Sequence, residues 1–151
     1  MSIEKENFQA ESSRTGKEFE LAVLQDLCDT EGYLIDEIST DVTIPNIGVK
    51  TDCTIIKPGD VVLHVEAKGG KPGSGKRPGA ERTDNVKKAI ANGALINFAD
   101  PAAEYIIYFS APPKPGSSSE EMIDTAIAAG FVTEVRYLEI YNTESNESQE
   151  Y

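Results

Sequence analysis

Asp52, Glu66 and Lys68 are the residues of this chain whose types and spacing suit chemistry. Two carboxylates a few ångströms apart repel each other unless a cation neutralises them. Hard oxygen ligands of this kind suit Mg²⁺ with several retained waters, and Mn²⁺ as a substitute. A lysine beside that cation adds a fixed positive charge. The grouping fits phosphodiester hydrolysis: the cation polarises the phosphate and lowers the pKa of water, while the amine helps place or deprotonate the nucleophile or steadies developing charge.

Such a site needs two paired strands to present it. Val49 to Ile56 and Val61 to Lys68 read as strands joined at the turn signal Pro58-Gly59. Alternation puts Glu66 and Lys68 on one face, with His64, and Val65 and Ala67 on the other, toward the core. On the preceding strand Cys53 and Ile55 fit the core face, which leaves Asp52 and Thr54 on the side of Glu66. Register decides whether the acids meet. A two-residue loop pairs Asp52 with Val65 and separates them; a three-residue loop, Pro58 to Asp60, pairs Asp52 with Glu66 and is the arrangement expected.

Around this hairpin, Phe19, Ala22, Val23, Leu27 and Cys28 recur at helical spacing from Thr15 to about Glu31, where Gly32 stops the helix. A first strand spans Tyr33 to Ile44. After a Gly/Pro/Lys loop from Gly69 to Ala80, Thr83 or Asp84 caps a helix running to about Phe98. Tyr105 to Ser110 reads as a buried strand, Ser118 with Glu121 as the capping box of a helix to Ala129, and Val132 to Tyr141 as a last strand. The order α-β-β-β-α-β-α-β predicts an α/β fold, a mixed sheet with helices on both faces. Residues 1–12 read as a loose lead-in, 13–141 as one domain and 142–151 as an acidic tail.

A chain of 151 residues, 39% hydrophobic, suffices for one core. No run approaches the roughly 20 apolar residues of a membrane span, and the polar N-terminus is unlike a signal sequence, so a cytoplasmic protein is expected. Cys28 and Cys53 have no metal-like spacing and read as buried thiols of a reducing compartment.

The net charge of −12 argues at first sight against a nucleic-acid partner. Its distribution argues otherwise. Seven of the 14 cations, Lys68, Lys71, Lys76, Arg77, Arg82, Lys87 and Lys88, fall within positions 68–88, with only Glu81 and Asp84 between them. Lys71, Lys76, Arg77 and Arg82 read as an arm for DNA phosphates; Lys87 and Lys88 track the backbone or face solvent.

Competing readings are weaker. A Glu-x-Lys triplet by itself is usually a solvated strand face. Gly70 to Arg77 imitates a phosphate-binding P-loop, but Arg77 replaces the required Ser or Thr and Pro78-Gly79 interrupts the helix that should follow. His64 is the only histidine, which removes any His-pair zinc motif. The serines at 117–119 are explained by a helix start.

Asp52 followed by Glu66-Ala67-Lys68 across a hairpin resembles the motif of PD-(D/E)XK nucleases, including the apolar run before the glutamate. Gly16-Lys17-Glu18-Phe19-Glu20 is similar to the Gly-x-x-Phe-Glu opening of many members, among them Mrr-like restriction enzymes and archaeal Holliday-junction resolvases. The resemblance covers roughly positions 14–110. It implies a restriction endonuclease-like fold and Mg²⁺-dependent cleavage of double-stranded or branched DNA; because one small domain has one site and double-strand cleavage needs two, a homodimer is expected. It also makes Glu20 an assistant to the metal site; Glu18 lies about 200° around the helix from it. Thr51 stands where the family often has proline, which empties no catalytic position. Restriction, resolvase, transposase-associated, phage and repair activities all stay open. The rival is a catalytically inactive nucleic-acid-binding or assembly protein with the same fold.

Overall fold

The computed structural model describes residues 3–70 and 77–140, with side chains for 16–70 and 77–140. Helix α1 is Ile3–Glu31, and strands β1 (Ser39–Ile44), β2 (Val49–Lys57) and β3 (Val61–Lys68) follow as a meander. Then come α2 (Thr83–Ala99), β4 (Glu104–Phe109), α3 (Ser118–Ala128) and β5 (Glu134–Tyr137). The element order is the one expected. The five strands lie in sequence order, antiparallel from β1 to β3 and parallel from β3 to β5. Both parallel steps need a crossover, which α2 and α3 provide.

Helices cover both faces of this α/β sheet. Phe19, Val23 and Leu27 of α1 pack on Cys53, Ile55, Val65, Ile106 and Tyr108. Val86, Ala89 and Ile96 of α2, with Ile123 and Ala126 of α3, pack on Tyr105, Ile107 and Phe109. Neighbours in β4 therefore belong to opposite layers, and the strand reads as a continuous apolar run because it is buried on both sides. Gly93 allows the closest approach: a Cβ there would lie 2.5 Å from the Phe131 carbonyl oxygen and 2.9 Å from the Tyr105 ring.

Several boundaries differ from the sequence reading. Helix α1 begins at Ile3, so the expected lead-in over 1–12 is helical for most of its length. That stretch is rich in Glu, Lys, Gln and Ala, good helix formers without an amphipathic pattern to reveal them. Tyr33 to Ile38 is not strand: Ile35–Glu37 forms a short 3₁₀ turn, with the Glu37 carboxylate accepting from the Leu34 amide. Arg82 rather than Thr83 or Asp84 caps α2, without a side-chain bond. Ser117 caps α3 by accepting from the Glu120 amide, one position ahead of the expected pair. Strand β5 stops at Tyr137, and the tail lies outside the described residues.

A polar network fastens the far end of α1 to the sheet. Arg136 of β5 donates to Glu31, Glu134 and the Tyr108 hydroxyl, and Tyr108 donates to Asp26 at 2.7 Å. These contacts fix the helix that carries Glu20. Among the described residues no helix is long and apolar enough to cross a membrane.

Candidate active site

The β2–β3 hairpin closes through the three-residue loop Pro58 to Asp60. Lys57 pairs with Val61 and Cys53 with Val65. Pro58 and Gly59 occupy the centre of a turn in which the Asp60 amide donates to the Lys57 carbonyl at 3.1 Å. Gly59, at φ +85°, supplies the left-handed conformation that a proline-glycine turn of this kind requires. The paired register runs from this turn to Cys53 and Val65, and Asp52 and Glu66 lie one residue beyond its end.

The faces are less simple than alternation suggests. Val49 joins the layer under α2 and α3, whereas Cys53 and Ile55, also odd-numbered, join the layer under α1. Strand β2 thus exchanges its faces around Asp52. Opposite it, between the Thr40–Cys53 and Val42–Thr51 pairs, Asp41 has φ +52°. Aspartate tolerates that left-handed conformation better than most residues, so both strands are distorted at this rung. The Asp52 carboxylate then reaches across to accept from the Ala67 amide at 2.7 Å, and it lines a small cavity of about 30 Å³ on the α1 side with Glu20, Asp41 and Ala67.

Glu66 stands in register with Ile107 and so belongs to the opposite face, under α2. The expectation of an open polar face there is corrected: Glu66 is only 5% exposed, and His64, Thr54 and Thr51 are buried with it. Thr54 Oγ1 lies 2.8 Å from His64 Nδ1 and 3.0 Å from Thr51 Oγ1, which satisfies the histidine within the core. Lys68 Nζ lies 3.2 Å from Glu66 Oε1, while Glu66 Oε2 is buried without a hydrogen-bond partner.

Electrostatics follow from this burial. Desolvation, then the neighbouring Asp52 charge, pushes the Glu66 carboxyl up to about 7 although Lys68 opposes it. Asp52 is also raised, chiefly by desolvation and against the Ala67 hydrogen bond and the Lys68 charge. Glu20 is raised by partial burial and then by Asp52 and Asp41. Three carboxylates raised together mark a place that favours added positive charge.

The donor types suit Mg²⁺: Glu66 Oε2 is an orphaned oxygen, and the Asp52 charge is felt at Glu66. The expectation that the two acids share one face is corrected, because the distorted strand turns the Asp52 carboxylate to the α1 side while Glu66 faces α2. Among the described residues no three His, Cys, Asp or Glu side chains form a ready-made metal cage. A cation that keeps its waters and takes one or two carboxylates does not need one. Glu20 lines the α1-side cavity together with Asp41 and Asp52.

The basic residues are only partly within the described chain. Lys71 and Lys76 lie outside it; Arg77 is exposed. Arg82 is drawn to Asp84 at 4.0 Å, and Lys87 and Lys88 are exposed on α2, with Lys87 on the wall of a groove between α2 and α3. Sequence reasoning did not single out Asp41, for which an aspartate in a strand gives no warning.

No family model matches this sequence. No curated protein matches it either.

Proposed function

We propose that this protein is a Mg²⁺-dependent endonuclease of the PD-(D/E)XK type that hydrolyses DNA phosphodiester bonds. The observation that carries the reading is the buried, unpartnered Oε2 of Glu66, set one strand from Asp52, with the Lys68 ammonium 3.2 Å from its other oxygen. Asp52 and Glu66 would hold the cation, and Glu20 would support it from outside. When bound, the cation supplies Lewis-acid stabilisation of the charge that develops on the phosphate.

The chain's own groups do the rest. Lys68, kept near the reacting phosphate by Glu66, orients the attacking water and steadies negative charge on phosphate oxygens. The water oxygen bonds to phosphorus, the bond from phosphorus to one sugar oxygen breaks, and the departing oxygen takes up a proton. Lys71, Lys76, Arg77 and Arg82 would supply phosphate contacts along the backbone. Two free cysteines, Cys28 and Cys53, agree with work in the reducing cytoplasm.

Supercoiled plasmid incubated with protein and Mg²⁺ tests this, with Ca²⁺ for comparison and Asp52→Ala and Lys68→Ala as variants. Nicking or linearisation by wild type, lost in both variants, is expected. Plasmid retention without cleavage by wild type in Mg²⁺ or Mn²⁺ would instead favour the inactive, binding-only reading.

A further inference from the structure

We propose that the α2–α3 face is where two copies of this chain meet, with α2 of one antiparallel to α2 of the other and each Phe98 seated in the other copy's groove. Phe98 is 86% exposed, the most exposed of the large apolar side chains described, and Leu95 beside it is 45% exposed. Isolated exposed apolar residues are ordinary; a large one beside an apolar groove is a candidate contact. The groove between α2 and α3 has a volume of about 550 Å³; Ile90, Ala91, Met122, Ala126, Ala129 and Phe131 make up its apolar lining, and Lys87, Ser118, Glu121 and Thr125 complete it.

Helical spacing puts knob and groove on one face. Lys87, Ala91, Ala94 and Phe98 follow each other at four, three and four residues along one side of α2. A twofold axis passing between Ala94 and Leu95 sets Phe98 opposite Ala91 of the second copy, on the groove wall. Ala91 and Ala94 are small enough to let the helices approach there. A surface carrying both the projection and its receptacle is self-complementary, as a twofold contact requires.

Charge agrees with the antiparallel sense. Lys87 and Lys88 are exposed near the start of α2, while Asp100 is exposed at its C-cap, where the helix dipole is also negative. In this pairing the two lysines of one copy lie at the level of Asp100 of the other. Contact from Lys87 to Phe98 spans about 16 Å of helix, and two helix widths give about 20 Å across. Covering both faces buries roughly 600–1,000 Å², below the roughly 1,200 Å² of a stable pair, so the dimer belongs to the weak class, at tens to hundreds of micromolar or about that range.

Sedimentation velocity of the full chain from about 5 µM to about 1 mM reads this directly, with a weak-class interface setting the range. The expected result is a concentration-dependent dimer in wild type and a monomer throughout in Phe98→Glu, whose fold is checked by circular dichroism. Lys87→Glu and Asp100→Lys should each weaken the dimer, and the two together should restore it. A wild type that stays monomeric at the highest concentration, a Phe98→Glu chain that dimerises as wild type does, or a charge swap without recovery would each overturn the proposal. None of these outcomes depends on nuclease activity.

Discussion

In Glu66→Gln the side chain keeps nearly the same shape and cannot ionise, which reads the energetic consequence of burying this carboxyl. The folded-state value of about 7 stands against an ordinary value of 4.5. Between these two pH values the folded chain binds a proton that the unfolded chain has released, so stability falls as pH rises through that window. The full effect above the window is about 3 kcal/mol, at 1.36 kcal/mol per unit, and about 2–3 kcal/mol develops between pH 5 and pH 8. Glu66 is 5% exposed, so solvent screening takes little from this figure. Urea unfolding in a chelating buffer at both pH values, for wild type and variant, measures it. Wild type should lose about 2–3 kcal/mol more than the variant on going to pH 8, and Ca²⁺ should return most of that loss to wild type alone. An equal pH response in the two proteins would refute the argument, because Glu66 would then ionise in the fold as easily as in water.

Three further outcomes follow from other parts of the structure. Asp52→Asn keeps an oxygen for the Ala67 amide, so it should lose divalent-cation affinity in calorimetry while unfolding near the wild-type denaturant concentration; Asp52→Ala should cost a further 1–3 kcal/mol or about that, as expected for a stranded buried N–H. His64 is lowered by burial, so its neutral form stabilises the fold above 6.5 and that contribution is lost as pH falls through the depressed folded value. His64→Gln should flatten this acid-side loss in denaturation curves below pH 6.5. Gly93→Ala would drive a methyl group into the Phe131 carbonyl and the Tyr105 ring, and thermal unfolding should reveal a loss of about 1–3 kcal/mol.

The hairpin was legible because its information is local. Pro58 and Gly59 dictate the turn, the loop length dictates the register, and the register carries the pairing as far as Cys53 and Val65, next to Asp52 and Glu66. The helices were legible where an apolar stripe meets the sheet, as in Phe19, Val23 and Leu27, and illegible before Thr15, where composition alone sustains α1. The burial of Glu66 and His64 was hidden, since a polar residue in an alternating strand reads as solvent-facing until a second helical layer is known to cover it. The exchange of faces at Asp52 was hidden too. It depends on Asp41 adopting a left-handed conformation one strand away, which neither residue type nor spacing announces.

The separation of the acidic hairpin from its cover bears on the order of folding. Strands β2 and β3 are joined by three residues and can pair early, whereas β4 and α2 must return over a crossover before Glu66 is sealed from water. The carboxyl therefore stays hydrated through much of the ascent to the transition state and loses water on the native side of it. Alkaline conditions should then leave the refolding rate nearly constant and accelerate unfolding, so that ionisation of this one carboxyl shortens the lifetime of the folded chain.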